Sequence, residues 1–236
     1  MTQKSISDLI FIKWFIGVIF ALIFIFILNY LGFLYSLINN DASYITSLIF
    51  IIFVYFSIKV GIELFYIRAR YMNIDALLSM LLNKSKDDVS SILKSFKSSN
   101  NNDDQAIYLY IISNKNDDSS KEGLEYNLTS KLNIGWLVAD GLLKLGLIGT
   151  VIGFIIMLSA ITDINGFDFT MMKEMLQNMS KGMEVALYTT LSGLVSSILL
   201  TIQYSYLEYY TYKIFYITNA CSTHYSEEFL DINSND

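Results

Sequence analysis

The chain has 236 residues, of which 53% are hydrophobic and 16% charged, and its formal net charge at pH 7 is −6. Soluble domains carry about 25% charged residues, so this composition excludes an ordinary soluble fold and predicts an integral membrane protein. The acidic balance, without any basic block, excludes nucleic acid as a partner.

Four apolar runs are long enough to cross about 30 Å of hydrocarbon at a helical rise of about 1.5 Å per residue. They comprise residues 15–38, 44–66, 142–161 and 183–206. No small-residue cleavage site follows the first run, which is therefore expected to be retained. The sequence predicts an all-α integral membrane fold with four transmembrane helices.

The distribution of positive charge predicts the orientation of these helices. Nine Lys and Arg residues lie between the second and third runs, whereas the first outer turn, "NNDAS", has none. Both termini are therefore expected in the cytoplasm (N-in, C-in). The predicted divisions are 1–67 for the first two spans, 68–133 for a cytoplasmic helical segment, 134–207 for the last two spans with a short periplasmic connection, and 208–236 for a cytoplasmic tail.

The segment between the second and third runs has helical patterning. Apolar residues recur at three- and four-residue spacing in "NIDALLSMLL", "KDDVSSILKSF", "DQAIYLYIIS" and "KEGLEYNLTSKL". Polar breaks fall at "KSSNNNDD" and "NKNDDSS". We expect several cytoplasmic helices that extend the spans into a collar.

Small and hydroxyl-bearing residues share one face of each of the last two runs. In the third run they are Gly146, Gly149, Thr150 and Gly153. In the fourth run they are Ala186, Thr190, Gly193 and Ser197, with Thr189 beside them. Small residues let helices approach closely inside a membrane, so the glycines, Ala186 and Ser197 are expected to be helix-packing and partner-facing residues.

The stretches "LGLIGTVIGF" and "MEVALYTTLSGLVSSI" resemble the third- and fourth-helix signatures of the MotA/TolQ/ExbB proton-channel family. The resemblance covers residues 142–206 by motif and the remainder by layout. It implies a pentameric homo-oligomeric ring in the bacterial inner membrane, whose pore is lined by the third and fourth helices. The ring would enclose single-span ExbD/TolR/MotB-like partner helices, each with an intramembrane aspartate.

By the same resemblance, Thr150 and Thr190 are the ion-pathway threonines, and Thr189 is a weaker candidate. No cofactor is implied beyond the translocated H⁺ or Na⁺. The chain departs from the family at Leu143 and Leu199, where proline is common, which puts kink-dependent gating in doubt. The four-span layout is closer to the MotA branch of the family, whereas the residues of the two motifs are closer to the TolQ/ExbB branch.

Charges near the spans occur as pairs four residues apart. Lys59 and Glu63 are expected to pair at the cytoplasmic end of the second run, and Asp140 and Lys144 at the start of the third. Asp140 and Lys144 are also candidates for the ion's cytoplasmic exit. No carboxylate lies near the middle of a span, so an ion-carrying carboxylate has to come from a partner.

Two functions are compatible with these sequence patterns. The favoured one is a ring subunit of an ion-driven motor, and its alternative is a passive helical scaffold in which the hydroxyl stripe only packs helices. A membrane enzyme is not expected, because the spans contain no visible nucleophile, metal cluster or carboxylate dyad. Cys221 is the single cysteine and His224 the single histidine of the chain, so one chain can form neither a disulfide nor a Cys/His zinc site. Both residues are expected in a polar tail.

Overall fold

The computed structural model describes residues 44–82, 86–113, 118–162 and 169–226. These residues form helices and their connections, without a strand among them. The helices are α1 (Ile45–Leu82), α2 (Lys86–Ser98), α3 (Asn102–Ile112), α4 (Asp118–Thr162) and α5 (Phe169–Tyr225). The all-α prediction is confirmed for this part of the chain, and the predicted first span, 15–38, lies outside it.

Three of the described helices, α1, α4 and α5, are long and apolar enough to cross a membrane. They contain 38, 45 and 57 residues. At about 1.5 Å per residue these lengths are about 57, 68 and 86 Å, well beyond the roughly 30 Å of hydrocarbon. Each helix therefore continues past its apolar run into a more polar segment.

The two polar breaks predicted in the middle of the chain fall next to short helices. Helix α2 buries one face, formed by Val89, Leu93 and Phe96. Helix α3 begins at an N-cap, Asn101, whose side-chain oxygen accepts a hydrogen bond of 3.1 Å from the backbone N–H of Asp103. Such a cap satisfies one of the free N–H groups at a helix start, which explains why α3 begins inside the polar break.

The segment expected to be a polar tail begins at residue 208, but α5 continues through it as far as Tyr225. Buried side chains recur along it at positions 207, 211, 214, 218 and 221, which is helical spacing for one buried face. Cys221 has no exposed surface, so its expected place in a polar tail is wrong. His224 lies half-buried in the last turn of α5.

The chain forms two compact units, and α1, α4 and α5 each contribute a stretch to both. The described part of the first unit consists of residues 60–134 and 204–226 with their gaps, and that of the second of residues 44–59 and 135–203. The fully buried side chains of the first unit come from α1, α3, α4 and α5, including Leu64, Leu77, Ile107, Leu124 and Ile214.

Hydrogen bonds attach α3 to α5 inside the first unit. The hydroxyl of Tyr110 donates to Oδ1 of Asn219 at 2.6 Å, and the hydroxyl of Ser222 donates to the carbonyl of Tyr110 at 3.3 Å. Burial raises the pKa of Tyr110, so its hydroxyl stays protonated as a donor. These bonds fix the register of α3 along α5.

Candidate functional site: the seam between α4 and α5

The small residues of α4 and α5 meet along one seam in the second unit. As α4 advances from Gly146 to Gly153, the contact on α5 moves back from Gly193 to Ala186. The two helices are therefore antiparallel, with Gly146 level with Gly193 and Met157 level with Gly182.

The helices touch through their backbones. A Cβ placed on Gly193 would lie 2.8 Å from the Cα of Gly146, and one placed on Gly153 would lie 2.6 Å from the backbone nitrogen of Ala186. These separations leave no room for any side chain. Close backbone approach of this kind is what small residues permit where lipid gives no hydrophobic drive between helices.

Gly149 and Thr189 are matched in the middle of the seam. A Cβ on Gly149 would overlap the side chain of Thr189. Thr189 is fully buried, and its hydroxyl donates to the carbonyls of Val185 and Ala186 at 2.9 and 3.1 Å. Thr189, the weaker ion-pathway candidate, is thus covered within its own chain.

Five of the six residues expected to pack helices or face a partner are buried at this seam: Gly146, Gly149, Gly153, Ala186 and Gly193. Their neighbours are residues of the same chain. In this structure they therefore offer no open surface to a partner. The sixth, Ser197, is half-buried.

Thr150 and Thr190 differ from Thr189 in remaining partly exposed. The hydroxyl of Thr150 donates to the carbonyl of Leu147 at 2.6 Å, and that of Thr190 donates to Ala186 at 3.0 Å and approaches the carbonyl of Gly146 at 3.4 Å. From the antiparallel register, the two threonines lie at about the same level of the helix pair. Each hydroxyl directs its proton into the backbone and keeps its oxygen lone pairs as acceptors.

Asp140 and Lys144 form the ion pair expected from their spacing. The Lys144 Nζ lies 2.5 Å from Oδ2 of Asp140, and the side chains are 67% and 52% exposed. An exposed pair of this kind contributes about 0–1 kcal/mol to stability. Its candidate role at the ion's exit stays a prediction.

The first unit contains an ion-pair network that the sequence did not predict. Lys131 Nζ lies 2.6 Å from Oε1 of Glu63 and 2.9 Å from Oδ2 of Asp103. Arg70 Nε donates to Oδ1 of Asp104 at 2.6 Å, and Arg70 Nη2 lies 2.9 Å from Oδ2 of Asp103. The network joins α1, α3 and the start of α4.

The expected pairing of Lys59 with Glu63 is wrong. Glu63 is bound by Lys131, which is 68 residues away in sequence. The ammonium of Lys59 lies 5.2 Å from the ring centroid of Tyr55, within cation–π range. Burial lowers the pKa of Lys131, but the hydrogen bonds and charges of Glu63 and Asp103 outweigh that effect and raise the pKa overall.

Metal binding has no support within the described ranges. There, no cluster of three His, Cys, Asp or Glu side chains is arranged to hold a metal ion.

Comparison with known families identifies the region that contains the seam. Residues 117–218 match the model of the MotA/TolQ/ExbB proton channel family. The resemblance inferred from two motifs is confirmed, and the match is wider than the 142–206 that those motifs cover. No curated protein and no solved structure matches the chain.

Residues 117–218 are thus similar to the MotA/TolQ/ExbB proton channel family. This is a family of channel and transducer subunits rather than of enzymes. Together with the three apolar helices, the match supports a membrane protein. The matched region contains the whole of α4 and all of α5 that lines the seam.

Proposed function

We propose that the chain is the ring-forming subunit of an ion-driven motor or energy transducer in the bacterial inner membrane. Copies of the chain, five by family resemblance, would surround a single-span ExbD/TolR/MotB-like partner that carries an intramembrane aspartate. Flow of H⁺ or Na⁺ would move ring and partner relative to each other. The observation that carries the proposal is the backbone-contact seam between α4 and α5 with two half-exposed threonines at one level.

The seam supports the proposal because it makes α4 and α5 a rigid helix pair that could form the wall of an ion path. Because Gly146, Gly153 and Gly193 bring the two backbones together, α4 and α5 form a helical hairpin without a flexible side-chain layer between them. A hairpin of this kind holds its outward-facing side chains at fixed positions. Thr150 and Thr190 are then presented by a rigid surface, as an ion path requires.

The threonine hydroxyls support transient binding of the ion or of a protonated carboxyl. Their protons are donated to helix carbonyls, so each oxygen is left as an acceptor. An acceptor can take a hydrogen bond from a protonated aspartate or replace one water around Na⁺. The chain itself has no Asp or Glu from residue 141 to 162 or from 185 to 207. The titrating group would therefore come from the partner.

Reconstitution tests this function directly. The full chain would be co-purified with a single-span ExbD/TolR/MotB-like protein and placed in vesicles with a pH or Na⁺ gradient. We expect flux that requires the partner's aspartate. Thr150→Val and Thr190→Val should each lower the flux about tenfold, the effect of losing one hydrogen-bonding group of about 1.4 kcal/mol. Absence of partner-dependent flux of either ion would rule the proposal out.

A matched variant separates this function from the passive scaffold. Thr129 lies on α4 in the first unit and donates to the carbonyl of Glu125 at 2.8 Å, so Thr129→Val removes the same kind of bond away from the seam. A motor predicts that Thr129→Val keeps its flux, while Thr150→Val and Thr190→Val lower it about tenfold and still assemble. A scaffold predicts that assembly and activity change together in all three.

A further inference from the structure

A small cavity lies inside the first unit, next to the ion-pair network. Its volume is about 10 Å³, about the space that one water molecule needs. Four charged side chains line it: Glu63, Arg70, Asp103 and Lys131. The rest of its wall consists of apolar side chains from α1, α4 and α5 and the side chain of Thr211.

Nη2 of Arg70, at this cavity, is buried without an aligned hydrogen bond to the described residues. The side chain of Arg70 is 6% exposed. Its Nε is bound to Asp104, but its Nη2, although 2.9 Å from Oδ2 of Asp103, makes no aligned hydrogen bond with any described residue. A buried, charged donor whose N–H groups lack an aligned acceptor costs free energy, so a further small acceptor within reach of Nη2 would stabilise it.

The charges around the cavity narrow the choice of occupant. Glu63, Asp103 and Asp104 bring three negative charges, and Arg70 and Lys131 bring two positive ones. The excess negative charge disfavours an anion, and the N–H of Arg70 repels a cation. A neutral molecule that accepts from Arg70 and donates to a carboxylate satisfies both sides.

We propose that this cavity binds one ordered water molecule, which accepts a hydrogen bond from Arg70 Nη2 and donates to the carboxylate of Asp103 or Glu63. The water completes the network that joins α1, α3 and α4. It is therefore a structural component of the first unit. The proposal does not depend on the function assigned to the seam.

Filling the cavity tests the proposal through the direction of a stability change. Thr211→Val and Thr211→Ile both remove the hydroxyl that donates to Leu207 at 3.0 Å, and they differ by one carbon. If that carbon displaces the water, the Tm of the full-length protein in detergent should be about 2–4 °C lower for the Ile variant than for the Val variant. An equal or higher Tm for the Ile variant would mean that the cavity is dry.

Overpacking by the extra carbon needs a separate control. In a background that combines Arg70→Met with Asp103→Asn and Asp104→Asn, the donor that holds the water is gone without leaving the two carboxylates unpaired, so the difference between the two Thr211 variants should disappear. A difference that persists unchanged in this background would reflect steric crowding, and the water proposal would fail.

Density at the site provides a measurement that needs no variant. A structure of the intact protein should show one peak 2.6–3.2 Å from Arg70 Nη2, a distance of about one hydrogen bond. No peak would overturn the proposal. An anomalous peak after exchange into Tl⁺ would also overturn it, because the occupant would then be a monovalent cation.

Discussion

The side chain of Thr189 occupies the space that a side chain on Gly149 would need. This pair shows that Gly149 is required by a contact inside a single chain. Gly141, on the same helix, is different, because a Cβ there would meet nothing within 4 Å. The two glycines therefore make a matched pair for substitution.

Gly149→Ala is expected to destabilise the protein by about 1–3 kcal/mol, the usual cost of overpacking a tight contact. Gly141→Ala should be neutral or stabilising by up to about 1 kcal/mol, because alanine favours a helix more than glycine does. Thermal unfolding of the two variants in the same detergent measures both effects. If the two substitutions have equal effects, the seam is not a tight contact.

Removing the Arg70 side chain should destabilise the first unit strongly. Arg70→Met leaves the buried carboxylate of Asp103 with Lys131 alone, and loss of one partner from a buried pair costs about 3–5 kcal/mol. Adding Asp103→Asn and Asp104→Asn removes the unpaired charges and should recover most of the loss. Denaturation midpoints of the single and triple variants measure this. A triple variant no more stable than Arg70→Met would show that charge is not the cause.

An aspartate at Leu77 should prevent stable folding, whereas one at Leu82 should not. Leu77 is fully buried in α1 and Leu82 is 60% exposed at the end of the same helix. A buried, unpaired charge costs at least about 3 kcal/mol, and exposed substitutions usually stay within about 0.5 kcal/mol. Size-exclusion profiles should show loss of the assembled species for Leu77→Asp only. An assembled Leu77→Asp protein would contradict the packing described for the first unit.

Cys221 should be unreactive in the folded protein at pH 8. Burial, together with the negative charge of Asp75, raises the pKa of its thiol to about 12, so only about one molecule in ten thousand carries the reactive thiolate. Alkylation by iodoacetamide should be slow until the protein is denatured. Fast alkylation of the native protein would show that the end of α5 opens readily.

The raised pKa of the Cys221 thiol makes the stability of the protein depend on pH in the alkaline range. The folded pKa of about 12 exceeds the ordinary value of 9.0, so folding favours the protonated thiol. The contribution of Cys221 to stability is complete below pH 9 and is lost as the pH rises from 9 to about 12. Tyrosines titrate in the same pH range. The contribution of the Cys221 thiol is therefore measured as the difference in stability between the natural chain and Cys221→Ala across this range.

Local patterns in the sequence were sufficient to predict much of the fold. Val89, Leu93 and Phe96 form the buried face of α2, and their spacing of four and three residues is the pattern that predicted this helix. The glycines of the seam were recognisable because small residues on one helix face have few other uses in a membrane. Both predictions rest on neighbours within a few turns of one helix.

Features that depend on distant partners were missed. Glu63 was paired with Lys59 because the two are four residues apart, but Lys131 is its partner in the folded chain. The buried face near the end of α5 was hidden because polar residues, Thr211, Thr218 and Cys221, form part of it. The hydroxyls of Thr211 and Thr218 donate to carbonyls of the preceding turn, and the thiol of Cys221 donates to the carbonyl of Ile74 at 3.7 Å. Side chains that satisfy their own donors in this way are acceptable inside a core.

The length of α5 has a mechanical consequence. Its 57 residues contain no proline, the commonest cause of a sharp bend, and form one helix of about 86 Å. Without a proline, each turn of α5 can keep its backbone hydrogen bonds, so a bend in this helix has to lengthen or break some of them.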